Sequence, residues 1–371
     1  MPIRFLRLAA FFLLFVAAIP RPQAERVVAV GDVHGDIERF TAILQKAGLI
    51  DASRQWTGGK ATLVQLGDLV DRGPKSRAVL DLLMTLQKEA PKRGGTVLPG
   101  LGNHEVMVVM GNMEYVVAAD YAAFADGRSE QRRRTAFRDY AALEARKGRK
   151  ADEQAWIATH PLGFIEHREA FGPQGKYGKW LRSLPAVNRV DDSIFLHGGI
   201  HPALGLKSID QINSVVSTEL LAFDKITRYM IDRQLALSFF TLEELAQAAG
   251  EEVEKTKSTT PESRTHIQIL AGLLQAANWL SLHNDGPLWF RDYNSWSDAE
   301  GEPKLRELTQ TFGVKRIVVA HTPQLNGQIR QRFGGRVFLI DTGMIVGRPS
   351  ALEISGSRIR ALYLDRQTDF D

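Results

Sequence analysis

The sequence predicts an α/β fold with two sheets, and two features support this prediction. Along the front of the chain, short apolar runs alternate with helical patterns, which is typical of parallel strands joined by right-handed crossover helices. The end of the chain returns to strands separated by glycine and proline, which favours an antiparallel set that closes a second sheet. With 371 residues, 44% hydrophobic and 24% charged, the chain has ordinary globular proportions.

An apolar segment precedes the first predicted strand. Arg4 and Arg7 lead into an unbroken apolar run over residues 8–19, and a polar break follows in which Ala24 is a small residue suited to cleavage. The run is shorter than the roughly 20 apolar residues that a permanent membrane span needs. We therefore expect residues 1–24 to be a signal peptide that exports the protein to the periplasm or the medium. An uncleaved N-terminal anchor is the alternative.

Charge and cysteine content exclude several functional classes. The formal net charge of +4 falls to +1 when residues 1–24 are removed, because that segment carries three arginines and no acid. The basic composition is then no reason to expect a nucleic-acid partner. The chain contains no cysteine, which excludes disulfides, thiol nucleophiles and zinc–thiolate sites. Any metal must be bound by oxygen and nitrogen ligands.

Five short apolar runs rich in valine, isoleucine and leucine are predicted to be buried strands. Each run ends in polar residues, and in parallel sheets ligands gather at the carboxyl ends of strands. The runs are RVVAV before Gly31, ATLVQL before Gly67, GTVLPGL before Gly102, SIFL before His197 and RIVVA before His321.

Two long segments without a strand signal, about 115–150 and 209–277, are predicted to be helical insertions into a single domain at residues 25–371. Residues 131–150 carry eight basic residues against two acids, which indicates a solvated, charged helix. A weak contact of this helix with an anionic membrane surface, or with an acidic partner, is the alternative. Residues 251–265 lack apolar anchors and are predicted to be a mobile loop within the second insertion.

The loops that follow the five strands carry carboxylates, imidazoles and an amide, which are ligands that suit manganese, iron or zinc. In an extended loop Asp32 and His34 point the same way and can bind one ion together, while Val33 points into the core. The flanking glycines let the backbone approach that ion closely. One such pair alone would indicate only a hydrogen-bonded core contact, but five loops favour a metal site. The loops are GDVHG at 31–35, GDLVDRG at 67–73, GNHE at 102–105, HGG at 197–199 and AHT at 320–322.

Taken in order, these loops resemble those of the calcineurin-like metallophosphoesterases. The VDRG and GNHE forms are similar to the phosphoprotein phosphatase branch, and GPLWFR at 286–291 and HTPQ at 321–324 most resemble its bacterial Shewanella-like phosphatases. The resemblance extends from Gly31 to Gln324. It implies a four-layer αββα sandwich of two mixed sheets, in which the helical insertions form a cap beside the site.

The resemblance also implies two metal ions, for which manganese is expected and iron or zinc are alternatives. Two such ions polarise phosphoryl oxygens and activate a shared water, which as hydroxide is the expected nucleophile. The implied ligands are Asp32 and His34 for the first ion, Asp68 as the bridge, and Asn103, His197 and His321 for the second.

Further residues are implied to act on the substrate. His104 occupies the place of the family's general acid, and Asp71 would orient its imidazole and favour the protonated form. Arg72 and Arg291 would bind the phosphate, with the amide of Asn103 donating to the same group. A simple ion pair between Asp71 and Arg72 is the alternative for that carboxylate.

The other polar residues near these loops are predicted to be structural. We expect Asp36 to cap the helix that starts at Ile37, and Glu105 to hold its loop through a backbone or arginine contact. The remaining histidines match no motif and are predicted to lie on the surface or in the core. They are His160, His167, His201, His266 and His283.

The sequence thus predicts a metal-dependent phosphomonoesterase that acts on phosphorylated protein or peptide, with no nucleic-acid partner. A hydrolase of bis-nucleoside polyphosphates or other small phosphoesters is one alternative, although those relatives commonly lack the pair that stands at Asp71 and Arg72. An inactive, metal-stabilised binding module is the other, and the presence of every expected ligand disfavours it. The choice between phosphotyrosine and phosphoserine depends on insertions in which no motif occurs.

Overall fold

The computed structural model describes residues 26–370, so the predicted signal peptide lies outside the described residues. Within that range no helix has the length and apolar character that crossing a bilayer requires. The strands in chain order are β1 (Val27–Val30), β2 (Thr62–Gln65), β3 (Thr96–Pro99), β4 (Val187–Val190), β5 (Ser193–Leu196), β6 (Arg316–Val319), β7 (Arg330–Arg332), β8 (Val337–Leu339), β9 (Ser350–Ser355), β10 (Arg358–Tyr363) and β11 (Gln367–Phe370). The α-helices are α1 (Ile37–Lys46), α2 (Ser76–Glu89), α3 (Asn103–Met110), α4 (Ala118–Phe124), α5 (Ser129–Arg146), α6 (Glu153–Thr159), α7 (Phe164–Phe171), α8 (Lys176–Arg182), α9 (Ile209–Asp232), α10 (Leu242–Lys255), α11 (Pro261–Leu274) and α12 (Asp298–Phe312).

The strands form two mixed sheets. The first has the order β11-β10-β9-β1-β2-β3, in which β1, β2 and β3 are parallel and β9 pairs antiparallel with β1. The second has the order β4-β5-β6-β8-β7, in which β5, β6 and β8 are parallel and the edge strands are antiparallel. All five strands predicted from apolar runs are present, and the three at the front are joined by helices, as expected.

The two sheets pack face to face over a shared core. Ala29 and Val64 of the first sheet lie in one apolar cluster with Phe195, Val318 and Phe338 of the second, and all five side chains are buried. Side chains of β1 and β2 that point the other way belong to a second cluster with residues of α1 and α2. Helices therefore cover the outer faces, which confirms the predicted αββα layers.

The C-terminal strands divide between the sheets, so the prediction that they form one antiparallel set closing the second sheet was wrong. Only β7 and β8 join the second sheet, whereas β9, β10 and β11 extend the first. The edge of β1 opposite β2 would otherwise leave buried backbone groups unpaired. β9 pairs with it, and Leu352 and Ile354 of that strand add to the core between the sheets.

The helical insertions differ from their predicted extents. The first continues through α6, α7 and α8 as far as Arg182, well past residue 150. In the second, α10 runs to Lys255 and α11 begins at Pro261, so most of the loop predicted at 251–265 is helical. Thr260 caps α11 through the N–H of Ser263, and proline at the first helical position favours this start.

The basic stretch predicted at 131–150 forms most of α5, and many of its positive charges are paired. Arg132 contacts Glu166 of α7, while Lys147 and Arg149 contact Glu251 of α10. The first pair lies within the first insertion, and the contacts with Glu251 connect the first insertion to the second. They also leave less free positive charge than the composition implies, and contact with a membrane surface stays a prediction.

Candidate metal centre and active site

The five polar loops meet at the carboxyl ends of β1, β2, β3, β5 and β6. The N–H groups of Val33 and His34 both donate to the carbonyl oxygen of Asp68 at 2.9 Å, which joins the first two loops. A Cβ at Gly102 would lie 2.2 Å from Asp68 Oδ1, so the third loop approaches the second as closely as only glycine permits. The N–H of His321 donates to Asp32 Oδ1 at 3.1 Å and joins the two sheets.

One group of predicted metal ligands comes from the first sheet. His34 Nε2 lies 3.7 Å from Asp32 Oδ2 and 3.6 Å from Asp68 Oδ2, and all three side chains are buried. The other ring nitrogen, Nδ1, lies 3.0 Å from the carbonyl oxygen of Val70. A backbone contact of this kind orients a ligating imidazole and keeps Nε2 as the ligand atom.

A second group spans both sheets. His197 Nε2 lies 2.9 Å from Asn103 Oδ1, 3.0 Å from His321 Nδ1 and 3.3 Å from Asp68 Oδ1. His197 Nδ1 contacts the carbonyl oxygen of Leu66 at 3.0 Å, which orients this ring in the same way. Asp68 therefore turns Oδ2 toward the first group and Oδ1 toward the second, so this carboxylate would be able to help hold a metal ion in either group.

The electrostatics of these groups fit bound cations. Burial and the neighbouring charges of Asp341 and Asp68 raise the pKa of Asp32 well above its usual range. Burial lowers the pKa of His34 to about 4 and that of His321 to about 2, which keeps both rings in the neutral form that binds metal. The buried Nε2 of His321 has no hydrogen-bond partner among the described residues. Buried carboxylates without a cation are costly, and these oxygen and nitrogen donors suit manganese, iron or zinc.

Asp341 is a site residue that the sequence prediction missed. Its buried carboxylate interacts with that of Asp32 and accepts the N–H of Gly343 at 2.9 Å. Burial raises its pKa as well. A signal was present, because Asp341 follows the apolar run of β8 and precedes Thr-Gly, in the same manner as the five polar loops. The apolar run of β8 predicts a strand, but Asp341 was not predicted to belong to the site.

His104 and Asp71 form a buried pair beside these groups. His104 Nδ1 lies 2.8 Å from Asp71 Oδ2, and Nε2 lies 3.9 Å from Asp68 Oδ2. Burial lowers the pKa of His104, but the charges of Asp68 and Asp71 outweigh burial and the net shift is upward. Asp71 thus contacts the imidazole, and the alternative of a simple ion pair with Arg72 is not what the structure has.

The two predicted phosphate-binding arginines lie next to different ligand groups. Arg72 Nη1 lies 2.7 Å from His34 Nε2, and Arg291 Nη1 donates to the carbonyl oxygen of His321 at 2.7 Å. Both side chains are exposed. Because His34 Nε2 has one lone pair, it cannot accept from Arg72 and bind a metal ion at the same time.

The backbone of the site adopts unusual conformations. Nine non-glycine residues between 26 and 370 have a positive φ, and five of them lie in these loops. Such residues cost about 1–3 kcal/mol each and persist only where their surroundings hold them, typically at functional sites. The five are His34, Asp68, Asp71, Arg72 and His321.

The residues predicted to be structural have structural contacts. The buried carboxylate of Glu105 accepts the N–H groups of Gly102, Asp68 and Leu69 at 2.7–2.8 Å, so it supports two of the loops. Burial raises the pKa of Glu105 to about 6. Asp36 accepts the N–H of Arg39 and caps α1. The remaining histidines lie outside the two ligand groups: His160 and His167 are buried, and His201, His266 and His283 are partly exposed.

The model of the calcineurin-like phosphoesterase family matches residues 25–325. The chain belongs to this family. Membership confirms that the protein is a metallophosphoesterase, hence a hydrolase, and confirms the predicted two-sheet fold. It also agrees with the imidazole and carboxylate groups that could hold metal ions.

Relatives of this phosphoesterase include Shewanella-like protein phosphatases. The Arabidopsis thaliana Shewanella-like protein phosphatase 2 is 34% identical over 325 residues, which is 81% of this chain and 78% of the relative. The Plasmodium berghei Shewanella-like protein phosphatase 1 is 26% identical over 348 residues, 91% of this chain and 74% of the relative. A symmetrical bis(5'-nucleosyl)-tetraphosphatase of Neisseria gonorrhoeae is 26% identical over 192 residues, 52% of this chain and 50% of the relative.

Among solved structures, the cold-active protein-tyrosine phosphatase of a psychrophilic Shewanella species has a similar fold. The TM-score is 0.61 at 22% sequence identity, and the match covers 94% of this chain and 80% of that protein. At this identity the likeness concerns the fold. It agrees with the two mixed sheets described above.

Proposed function

We propose that this phosphoesterase is a protein phosphatase that hydrolyses phosphotyrosine, phosphoserine or phosphothreonine residues with two bound manganese ions. The observation that carries the proposal is the pair of Asp71 and His104, held beside both ligand groups with Arg72 at the rim. Relatives named as protein phosphatases match 81% and 91% of the chain, which adds support. Iron or zinc would suit the same donors.

Each side chain has a defined task in this proposal. Bound metal ions supply Lewis acidity and an activated water. His104 donates the Nε2 proton to the leaving oxygen, while Asp71 accepts from Nδ1 and stabilises the charged ring. Arg72 and Arg291 bind the equatorial phosphoryl oxygens with planar donor groups, and Asn103 adds its amide.

The second candidate is hydrolysis of bis-nucleoside polyphosphates. The tetraphosphatase relative favours it, although the match covers only 52% of this chain. That activity would need the same metal ligands. The two candidates differ in whether the exposed rim beside His104 receives a peptide or a nucleotide.

Product formation decides between them: phosphate is released from a phosphopeptide, whereas cleavage of a bis-nucleoside tetraphosphate between its phosphates releases nucleoside phosphates. The protein from residue 25 to residue 371 is stripped of metal with a chelator and supplied again with Mn²⁺, and its turnover is measured on a phosphotyrosine peptide, a phosphoserine peptide and a bis-nucleoside tetraphosphate. We expect turnover of a peptide only after metal is restored. Turnover of the nucleotide alone would favour the second candidate, and no turnover of any substrate would favour an inactive binding module.

We also propose that the protein is exported. Support comes from the two arginines, the apolar run and the small residue within residues 1–24. Expression of the full chain in a Gram-negative host, followed by fractionation and N-terminal sequencing, tests this. We expect a periplasmic protein that begins near residue 25, and a full-length membrane-bound form would instead indicate an anchor.

A further inference from the structure

Tyr115 lies at the exposed edge of the active site, at the start of the first helical insertion. Its ring centroid is 5.0 Å from that of His104, with the ring planes at 58°. The guanidinium carbon of Arg72 lies 5.3 Å from the same tyrosine centroid. His104 is buried, whereas Tyr115 is 37% exposed. The tyrosine is thus an aromatic surface between the buried imidazole and solvent.

The position of His104 defines where a leaving group must lie. Nδ1 is engaged by Asp71, so Nε2 is the atom available to donate a proton to the leaving oxygen. The remainder of the leaving group cannot extend inward, because Asp68, Asp71 and His104 are all buried. It must extend toward the rim, where the ring of Tyr115 lies next to His104.

We propose that Tyr115 is a specificity-determining residue whose ring packs against the aromatic ring of a phosphotyrosine leaving group. This inference rests on the proposed phosphatase function and names the substrate class that the site prefers. An aromatic pair contributes roughly a two- to tenfold gain beyond the area that it buries. The leaving group of phosphoserine is a short alkoxide that offers no ring, so it gains less from this contact.

The backbone of Tyr115 has a separate role. Its carbonyl oxygen accepts the N–H of Arg72 at 2.9 Å, and that bond survives any substitution of the side chain. Loss of the ring also removes the contact with the Arg72 guanidinium, which would affect every phosphorylated substrate equally. The ratio of phosphotyrosine to phosphoserine hydrolysis therefore isolates the contribution of the Tyr115 ring to recognition of an aromatic leaving group.

The test compares kcat/KM for phosphotyrosine and phosphoserine peptides of otherwise identical sequence, with the metal-reconstituted protein. Tyr115→Leu and Tyr115→Gln should lower the phosphotyrosine-to-phosphoserine ratio by roughly fivefold, within the range of aromatic pairs. Tyr115→Phe should retain the wild-type ratio. The matched control is Tyr229→Leu, since Tyr229 on α9 also has a guanidinium near its ring, that of Arg233 at 3.7 Å.

The possible outcomes separate this inference from the function on which it rests. A wild-type protein that hydrolyses neither peptide would overturn the proposed function and this inference together. A wild-type protein that hydrolyses both, with an unchanged ratio in Tyr115→Leu and Tyr115→Gln, would overturn this inference alone. An equal fall in kcat/KM on both peptides would show that the ring acts only through Arg72. That result would also overturn this inference.

Discussion

Asp68 is the residue at which the two halves of the site meet. Its Oδ2 faces His34 and its Oδ1 faces His197, its N–H is bound by Glu105, and its backbone has a positive φ of 53°. A non-glycine residue in this conformation is strained, and the neighbouring loops hold it there. This carboxylate thus offers an oxygen to each group, and it would be able to help hold a metal ion on either side.

Asp68→Asn should abolish binding of the second metal ion and nearly all turnover. An amide has one acceptor oxygen, so its NH₂ group would face either His34 or His197. The loss in kcat/KM should exceed the roughly 10- to 100-fold cost of removing an outer-shell partner. Calorimetric titration with Mn²⁺ gives the number of ions bound, and phosphate release gives the activity.

Asp36→Asn is the matched control for that substitution. Asp36 follows the same strand as His34 but caps α1, and asparagine caps helices about as well as aspartate. Binding and turnover should stay near the wild-type values. If Asp36→Asn lost as much Mn²⁺ binding and turnover as Asp68→Asn, the prediction that Asp68 is the bridging ligand would be contradicted.

His104→Asn should reduce activity in a manner that depends on the leaving group. An activated aryl phosphate such as p-nitrophenyl phosphate needs little protonation, whereas an alkyl phosphate needs it strongly. The fall in kcat should therefore be larger on phosphoserine peptide than on p-nitrophenyl phosphate, with Mn²⁺ binding retained. Equal losses on both substrates would be inconsistent with a general acid at this position.

At the scale of elements, α7 connects the first helical insertion to α3 and to the second insertion. Arg168 of this helix is buried and donates to the carbonyl oxygens of Val108 at the end of α3 and of Phe240 just before α10. His167 packs against Tyr121 and Phe124 of α4, and its Nδ1 has no hydrogen-bond partner among the described residues. The helix therefore buries two ionisable groups, of which the histidine must be neutral.

The burial of His167 should make the fold sensitive to acid. Burial and the charge of Arg168 lower its pKa from 6.5 to about 3. Between these values the unfolded chain binds a proton that the folded chain does not, so stability falls as pH decreases from 6.5 toward 3. The unfolding free energy is lowered in this way by roughly 2 kcal/mol by pH 5, at about 1.4 kcal/mol per pH unit.

His167→Phe should remove this contribution. Phenylalanine fits among the neighbouring aromatic rings and does not titrate. Urea unfolding at pH 7.5 and pH 5 should show a smaller loss of unfolding free energy in the variant than in the wild type. Identical losses in the two proteins would exclude His167 as a source of acid sensitivity.

At the scale of the whole molecule, the predicted metal ligands come from both sheets. Asp32 and Asp68 follow strands of the first sheet, and His197 and His321 follow strands of the second. Bound ions would therefore connect the two halves of the sandwich and neutralise the buried carboxylates of Asp32, Asp68 and Asp341. A site of this kind couples metal binding to the stability of the entire fold.

Removal of metal should lower the melting temperature of the protein. A ligand that binds only the folded state stabilises it by about 3–4 kcal/mol at 100 to 1,000 times its dissociation constant. Calorimetry of the chelator-treated protein, before and after addition of Mn²⁺, measures the shift. The shift should grow with Mn²⁺ concentration and should be much smaller in Asp68→Asn, and a melting temperature independent of Mn²⁺ would contradict the coupling.

Several features were predictable because they depend on neighbouring residues. Short apolar runs, flanking glycines and the spacing of Asp32 and His34 are local patterns, and they indicated the strands, their polar loops and the ligand types. The assignment of β9 to the first sheet was not predictable in this way, because strand pairing depends on which distant edge is open. The helical character of much of 251–265 was not predicted, because the segment lacks the apolar anchors by which helices are recognised, although Thr260 caps α11.

The sequence by itself determined the family, the class of reaction and the residue types that surround the site, since these are encoded in short motifs of fixed order. Only the tertiary structure decided that Asp71 contacts His104 and not Arg72, that Asp341 joins the site, and that Tyr115 lies beside the imidazole. Those contacts join residues that are far apart in the chain or lie in insertions without motifs. They depend on how the two sheets and the insertions pack together, and local patterning does not specify that packing.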